Sequence, residues 1–249
     1  MQPIGGRLNT PSPLRITVIY DNRSTNPALK EAWGFSALLE QDGLNLLFDT
    51  GGDSPTLLHN MAALGISPAQ IQRVFLSHFH EDHTDGLAGL IQAGAQPEKI
   101  YFLAATPEAY KVHFQALGPY QEITAPAHLI GNWFSTGEIS ENTPEHALIT
   151  RFPHSQVLLT GCAHPGIVRV TQRAYTQYSV PFTWVGGGFH LKDASSESVD
   201  HTLAELNVLP IQTLAPAHCT GDAAIAHIQA ALGQRARPLQ VGAVLEFAP

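Results

Sequence analysis

Phe75-Leu-Ser-His78-Phe-His80-Glu-Asp82-His83-Thr-Asp85-Gly86 brings three imidazoles and a carboxylate together in one short run. Val74, Phe75 and Leu76 at its start are apolar and β-prone. Leu87-Ala-Gly-Leu-Ile91 after it is apolar again, so the run reads as a buried strand, a tight loop and a helix. Neutral imidazole and carboxylate are the ligand types of zinc and related ions. The plain alternative is a His-rich surface loop, which the density of ligand types disfavours. The loop is expected to bind metal.

Its spacing speaks for two ions. His78 and His80, two apart, can turn to one side of a loop and grip one ion, while Asp82 and His83 are offset toward a second. Dinuclear hydrolytic sites hold their metals about 3.5–4 Å apart. The remaining ligands must come from elsewhere, and three downstream histidines offer them. His164 follows Val157-Leu-Leu-Thr160 in Gly161-Cys162-Ala163-His164-Pro165-Gly166. His190 follows Phe182-Thr-Trp-Val185 and Gly186-Gly187-Gly188-Phe189. His218 follows Ile211 to Pro216, in Ala217-His218-Cys219-Thr220-Gly221. Each closes an apolar, β-like run beside Gly or Pro. His59, His113, His128, His146, His154, His201 and His227 lack that setting and read as solvent or helix-surface histidines.

Composition bounds the rest. The chain has 249 residues, 44% apolar, enough to bury one full core. Residues 15–249 are expected to form one domain after an N-terminal tail, 1–14. Net charge is −8 and no Lys/Arg block occurs, which weighs against nucleic acid as a partner. No stretch of eighteen apolar residues is present and the N-terminus lacks the apolar core of a secretory signal, so neither membrane nor export is expected. Cys162 and Cys219 are expected as free thiols in a cytoplasmic setting, although converging ligand loops would permit a disulfide.

Strand and helix signals alternate along the chain. Arg15 to Tyr20 reads as a strand ending at Asp21-Asn22, and Phe35–Glu40 with Asn45–Phe48 as a hairpin around Asp42-Gly43. A helix is expected from an N-cap at Ser54 to a stop at Gly65. Further helices are expected over 106–116, 165–178, 196–206 and 222–232, with a closing strand over 241–247. Leu117 to Glu145 reads as the longest irregular segment, either a lid carrying Tyr120, Trp133 and Phe134 or an ordinary connection with a docked aromatic. Gly186-Gly187-Gly188 would let a substrate approach the backbone or make a tight turn.

The His78-x-His80-x-Asp82-His83 run, with Asp49 in Leu46-Leu-Phe-Asp49-Thr-Gly51, resembles the metallo-β-lactamase superfamily. Thr160-Gly-Cys-Ala-His164-Pro-Gly-Ile167, Gly187-Gly-Phe-His190-Leu and Ala217-His218-Cys-Thr-Gly221 are similar to its branch named for 7,8-dihydropterin-6-methyl-4-(β-D-ribofuranosyl)aminobenzene-5′-phosphate synthase. Thr136-Gly-Glu-Ile139 and the Asp21-Asn22 turn suit that branch too. The resemblance runs from about residue 16 to the C-terminus. It implies an α/β fold, an αββα sandwich of two mixed sheets flanked by helices, with a dinuclear site at one sheet edge.

Carried over, the resemblance implies His78, His80 and His164 on one metal and Asp82, His83 and His218 on the other. Asp49 would orient a loop ligand through a hydrogen bond, or else simply form a turn. The ions would be two divalent cations, zinc foremost, with manganese or iron as alternatives. Most of the superfamily has a metal-bridging Asp where this chain has His190. An imidazole has one lone pair to give, so His190 either ligates a single ion or faces substrate as acid, base or phosphate donor, unless it is structural. Phe79, Asp85 and Ala32-Trp33-Gly34 depart from the branch and bear on substrate.

The implied activity is metal-dependent hydrolysis of a small phosphate-bearing, pterin-like molecule, phosphodiesterase-like or synthase-like, by a metal-activated water, with Asp82 and His190 as catalytic groups. Helices beginning after His164 and His218 would offer their N-termini to a phosphate. The alternative is a metal-stabilised protein that binds or senses a small ligand. His80 and the short C-terminus argue against a flavin-linked di-iron enzyme. The specific substrate contacts and the oligomeric state are left open.

Overall fold

The computed structural model describes residues 11–141 and 143–249, so the first ten residues of the expected tail lie outside the described residues. β1 (Leu14–Tyr20), β2 (Ser36–Gln41) and β3 (Leu44–Phe48) pair antiparallel, the last two as the expected hairpin. Asp42 and Gly43 both take positive φ, which a two-residue hairpin turn demands and Asp-Gly tolerates. Next come α1 (Ser54–Ala63), β4 (Arg73–Phe75), α2 (Glu81–Thr84), α3 (Gly86–Gln92), β5 (Lys99–Leu103), α4 (Glu108–Ala116) and β6 (Tyr120–Ile123). β3, β4, β5 and β6 are parallel neighbours.

A second sheet is built from β7 (Ala127–Ile130), β8 (Trp133–Ser135), β9 (Leu148–Arg151), β10 (Gln156–Thr160), β11 (Phe182–Gly188) and β12 (Ile211–Ala217). α5 (Ile167–Tyr178) and α6 (Ser196–Leu206) lie in the crossovers, and α7 (Asp222–Leu232) follows β12. β10, β11 and β12 are parallel, and β7 to β10 antiparallel. The closing strand, β13 (Val244–Phe247), returns to pair with β1 at the edge of the first sheet.

The period of two along the strands makes the layers. In β3, Leu46 and Phe48 join a cluster with Trp133, Leu148, Leu159 and Trp184 of the second sheet, while Leu47 turns to Leu57, Met61 and Leu87 of α1 and α3. In β10, Val157 and Leu159 face the same inter-sheet cluster, and Leu158 packs with Ile167, Val170 and Ala174 of α5. Two mixed sheets thus share one core, with helices on both outer faces. Strands apolar on both faces result, each buried Leu or Phe contributing about 1.5–3 kcal/mol.

Several expectations are corrected. Asp53, not Ser54, caps α1: its carboxylate accepts the Thr56 N–H at 2.6 Å. The 117–145 segment is not irregular, for it holds β6, β7 and β8, and Trp133 is buried between the sheets rather than poised over a site. Gly186 to Gly188 do not form a turn. They end β11, where a Cβ on Gly187 would collide with the Thr160 carbonyl at the end of β10 and one on Gly188 with the carbonyl of Gly161 just after it. Asp82 and His83 sit on the single turn of α2 rather than on an open loop.

Candidate metal centre

β1, β3 and β4 point the same way in the first sheet, as do β10, β11 and β12 in the second, and their C-terminal ends meet at one edge. Each end delivers a polar residue: Asp21, Asn22, Asp49, His78, His164, His190 and His218 all follow these strands directly or within a few residues. Asp49, Ala163, His190 and His218 all have positive φ, between 51° and 56° for the first three and 45° for His218. Non-glycine residues rarely adopt this left-handed backbone, and it concentrates at functional sites.

The structure brings the six expected ligands into two groups. The ligand atoms of His78, His80 and His164 lie within 4.8 Å of one another, and so do those of Asp82, His83 and His218. In the second group His83 Nε2 is 3.2 Å from His218 Nε2, and Asp82 Oδ2 is 3.1 Å from His218 Nε2 and 3.6 Å from His83 Nε2. Two ligand atoms on one tetrahedral zinc ion are about 3.4 Å apart, so these edges suit an ion.

Backing acceptors turn the rings inward. His83 donates from Nδ1 to Asp49 Oδ2 at 2.7 Å, and His164 from Nδ1 to Glu145 Oε2 at 2.9 Å. His218 donates from Nδ1 to Asn22 Oδ1 at 3.0 Å. His78 donates from Nδ1 to Ser77 Oγ at 2.9 Å, since that hydroxyl itself donates to Asp49 Oδ2 at 2.7 Å. Each ring thus keeps Nε2 free for a common centre. His78 Nε2 is buried with no partner at all, an orphan that a cation would satisfy.

The electrostatics ask for positive charge. Burial alone would lower His83, but the Asp49 and Asp82 carboxylates raise it to about 9, an imidazolium in the place of a cation. Its neighbour His78 is pushed well below the ordinary value by burial and by His83. Asp82 is held low against burial by His218 and His83, and Glu145 against burial by His164 and His78. A divalent ion would replace the His83 proton and take the charge of both acids.

His190 is exposed and belongs to neither group, although its ring lies 4.6 Å from that of His164. It lines a cavity of about 590 Å³ together with His164, Gly166 and Arg169 at the start of α5. A second cavity of about 490 Å³ is lined by Trp33, His80, Asp82, Asp85 and Tyr110. Cys162 and Cys219 are both free and buried near the site.

Residue-by-residue reading missed three supports. Glu145 accepts N–H bonds from Cys162, Ala163 and His164, each at 2.9 Å, and so shapes the whole His164 turn. Asp21 accepts the His218 N–H at 2.9 Å, and Asn22 holds both the ring and the carbonyl of His218. Asp21-Asn22 carried a turn signal, but nothing local marks Glu145. His146 was expected at the surface and is instead fully buried. It donates from Nε2 to the Leu76 carbonyl at 2.8 Å, meets Ser135 Oγ at Nδ1, and stacks on Phe75.

The Metallo-beta-lactamase superfamily model matches residues 34–218. The 7,8-dihydropterin-6-methyl-4-(beta-D-ribofuranosyl)-aminobenzene-5'-phosphate synthase of Methanocaldococcus jannaschii is 26% identical over 93% of this chain and 95% of its own length. A ribonuclease Z of Methanococcus maripaludis is 32% identical over 46% of this chain and 35% of its own. Among solved structures, a metal-dependent hydrolase of the beta-lactamase superfamily superposes with a TM-score of 0.78 at 24% identity, covering 95% of this chain and 100% of that one. No helix among the described residues is long and apolar enough to cross a membrane.

Proposed function

The chain belongs to the metallo-beta-lactamase superfamily, and from that premise we propose that it is a dinuclear metal-dependent hydrolase-type enzyme acting on a small, phosphate-bearing, pterin-like molecule. His78, His80 and His164 would hold one ion and Asp82, His83 and His218 the other. An imidazole-rich set of this kind favours zinc, with manganese or iron next. The observation that carries the reading is the set of inward Nε2 atoms, each ring fixed from behind, with His78 Nε2 buried and unpartnered. When bound, the ions would supply a water ionised near neutral pH and polarise the group it attacks.

The protein's own groups do the rest. Asp82, at the edge of its cavity, can accept a hydrogen bond from the attacking water and orient it. His190, free of both ligand groups and facing the other cavity, can pass a proton to the leaving oxygen. Arg169 and the N-terminal turn of α5 line that same cavity, a setting for a phosphate. Trp33 and Tyr110 offer aromatic surface in the second cavity, suited to a planar ring such as the pterin in the relative's name.

Elemental analysis of freshly prepared protein, with turnover of a generic phosphodiester by wild type and by His78→Ala, tests the reading. The expected result is close to two transition-metal ions per chain, with hydrolysis lost in a His78→Ala variant that keeps its circular dichroism. Trace metal only would sink it. Two firmly bound ions without turnover of any phosphoester would favour the binding or sensing protein instead.

A further inference from the structure

We propose that the Cys162 thiolate is a ligand to both metal ions, bridging the two groups; this rests on the dinuclear reading above. The ligand atoms of His78, His83 and Cys162 lie within 4.8 Å of one another. His78 belongs to one metal group and His83 to the other, so one sulfur reaches a member of each. Cys162 Sγ is 3.2 Å from His83 Nε2. A sulfur and a nitrogen on one tetrahedral zinc ion are about 3.5 Å apart, so the contact suits a shared ion. Among the described residues, no carboxylate shares such a cluster with ligands from both groups.

The backbone holds the sulfur there. Glu145 accepts the Cys162 N–H at 2.9 Å and the next two N–H groups as well. Ala163, at φ 56°, turns the chain so that Cys162 and His164 both meet the centre. The side chain is buried, 3% exposed, and so is directed inward rather than displayed to solvent as a reactive thiol. The chemistry fits the geometry. A thiolate keeps three lone pairs and can give one to each of two ions, whereas an imidazole has only one to give. On binding, the S–H proton leaves to solvent, two sulfur–metal bonds form, and no oxidant or reductant is needed. A soft sulfur would also select zinc over manganese.

Cadmium substitution gives the test, because a thiolate ligand moves a cadmium resonance far downfield of nitrogen and oxygen sites. Wild type loaded with two cadmium ions should show both resonances in the thiolate range. In Cys162→Ser both should move upfield, and chelator competition should show metal retention weakened by at least about 10–100-fold. One thiolate-range resonance only would make Cys162 a terminal ligand and overturn the bridge. Two resonances outside that range would overturn it while leaving two ions, and hence the proposed function, in place. A wild type that takes up no second ion would overturn both. If Cys162→Ser does not fold, Cys219→Ser decides instead: both cadmium resonances should stay in the thiolate range, and loss of either from that range would overturn the bridge.

Discussion

Replacing Glu145 by glutamine tests how the His164 turn is held. The carboxylate is buried, and its Oε1 accepts from Thr160 Oγ1 at 3.1 Å and from the Cys162 and Ala163 N–H groups at 2.9 Å. Oε2 accepts from both the backbone N–H and the Nδ1–H of His164, each at 2.9 Å. In Glu145→Gln the amide oxygen can keep the first three, but its NH₂ then faces two donors of His164. Two bonds to a charged acceptor are lost, each worth about 1.5–3 kcal/mol, so unfolding free energy should fall by about 3–6 kcal/mol. His164 also loses the partner that fixes its tautomer, which should weaken zinc binding by about 10–100-fold. Urea unfolding of chelated protein reads the first effect, and zinc competition against a chromophoric chelator reads the second. A variant matching wild type in both would refute the anchoring role of Glu145.

His146 makes an acid-side prediction. Burial keeps its ring neutral down to about 4, whereas the unfolded chain takes up the proton near 6.5. The unfolded state therefore binds more protons between those values. Stability should be full above pH 6.5 and fall by about 3 kcal/mol toward pH 4; a thermal-melt series in which His146→Asn left that slope unchanged would contradict this. His83 predicts the opposite sign in chelated protein. Its pKa is raised to about 9, so its contribution is present below 6.5 and lost as pH rises through 9, while zinc-loaded protein should show no such alkaline loss. Finally, His190→Ala should keep the full metal content by elemental analysis while turnover falls about 10²–10⁴-fold. Loss of one metal equivalent would make His190 a ligand instead.

Much of the centre was legible because its residues are local and chemically distinctive. His78, His80, Asp82 and His83 occupy one short run, and His164, His190 and His218 each close an apolar strand. The supports behind them were harder to read. Glu145 sits 19 residues from His164 in an unremarkable Pro-Glu-His, and Asn22 is 196 residues from His218. His146 shows the same limit from the other side. A lone histidine carries no local mark of burial, and only Phe75, Leu76 and Ser135 arriving from other strands made it part of the core.

The sequence by itself determined the layers and the kind of chemistry. Unbroken apolar runs such as Leu46-Leu-Phe48 and Val157-Leu-Leu159 suit strands buried on both faces, and the ligand types suit a cation. Tertiary structure alone decided which candidate ligand atoms come together. Parallel strands bring their C-terminal ends to one edge whatever their order in the chain. Once there, backbone turned to positive φ at Asp49, Ala163, His190 and His218 sets where each side chain points. His190, so similar in sequence setting to His164 and His218, stands outside both ligand groups and clusters instead with Cys162 and Cys219, while Cys162 also clusters with His78 and His83.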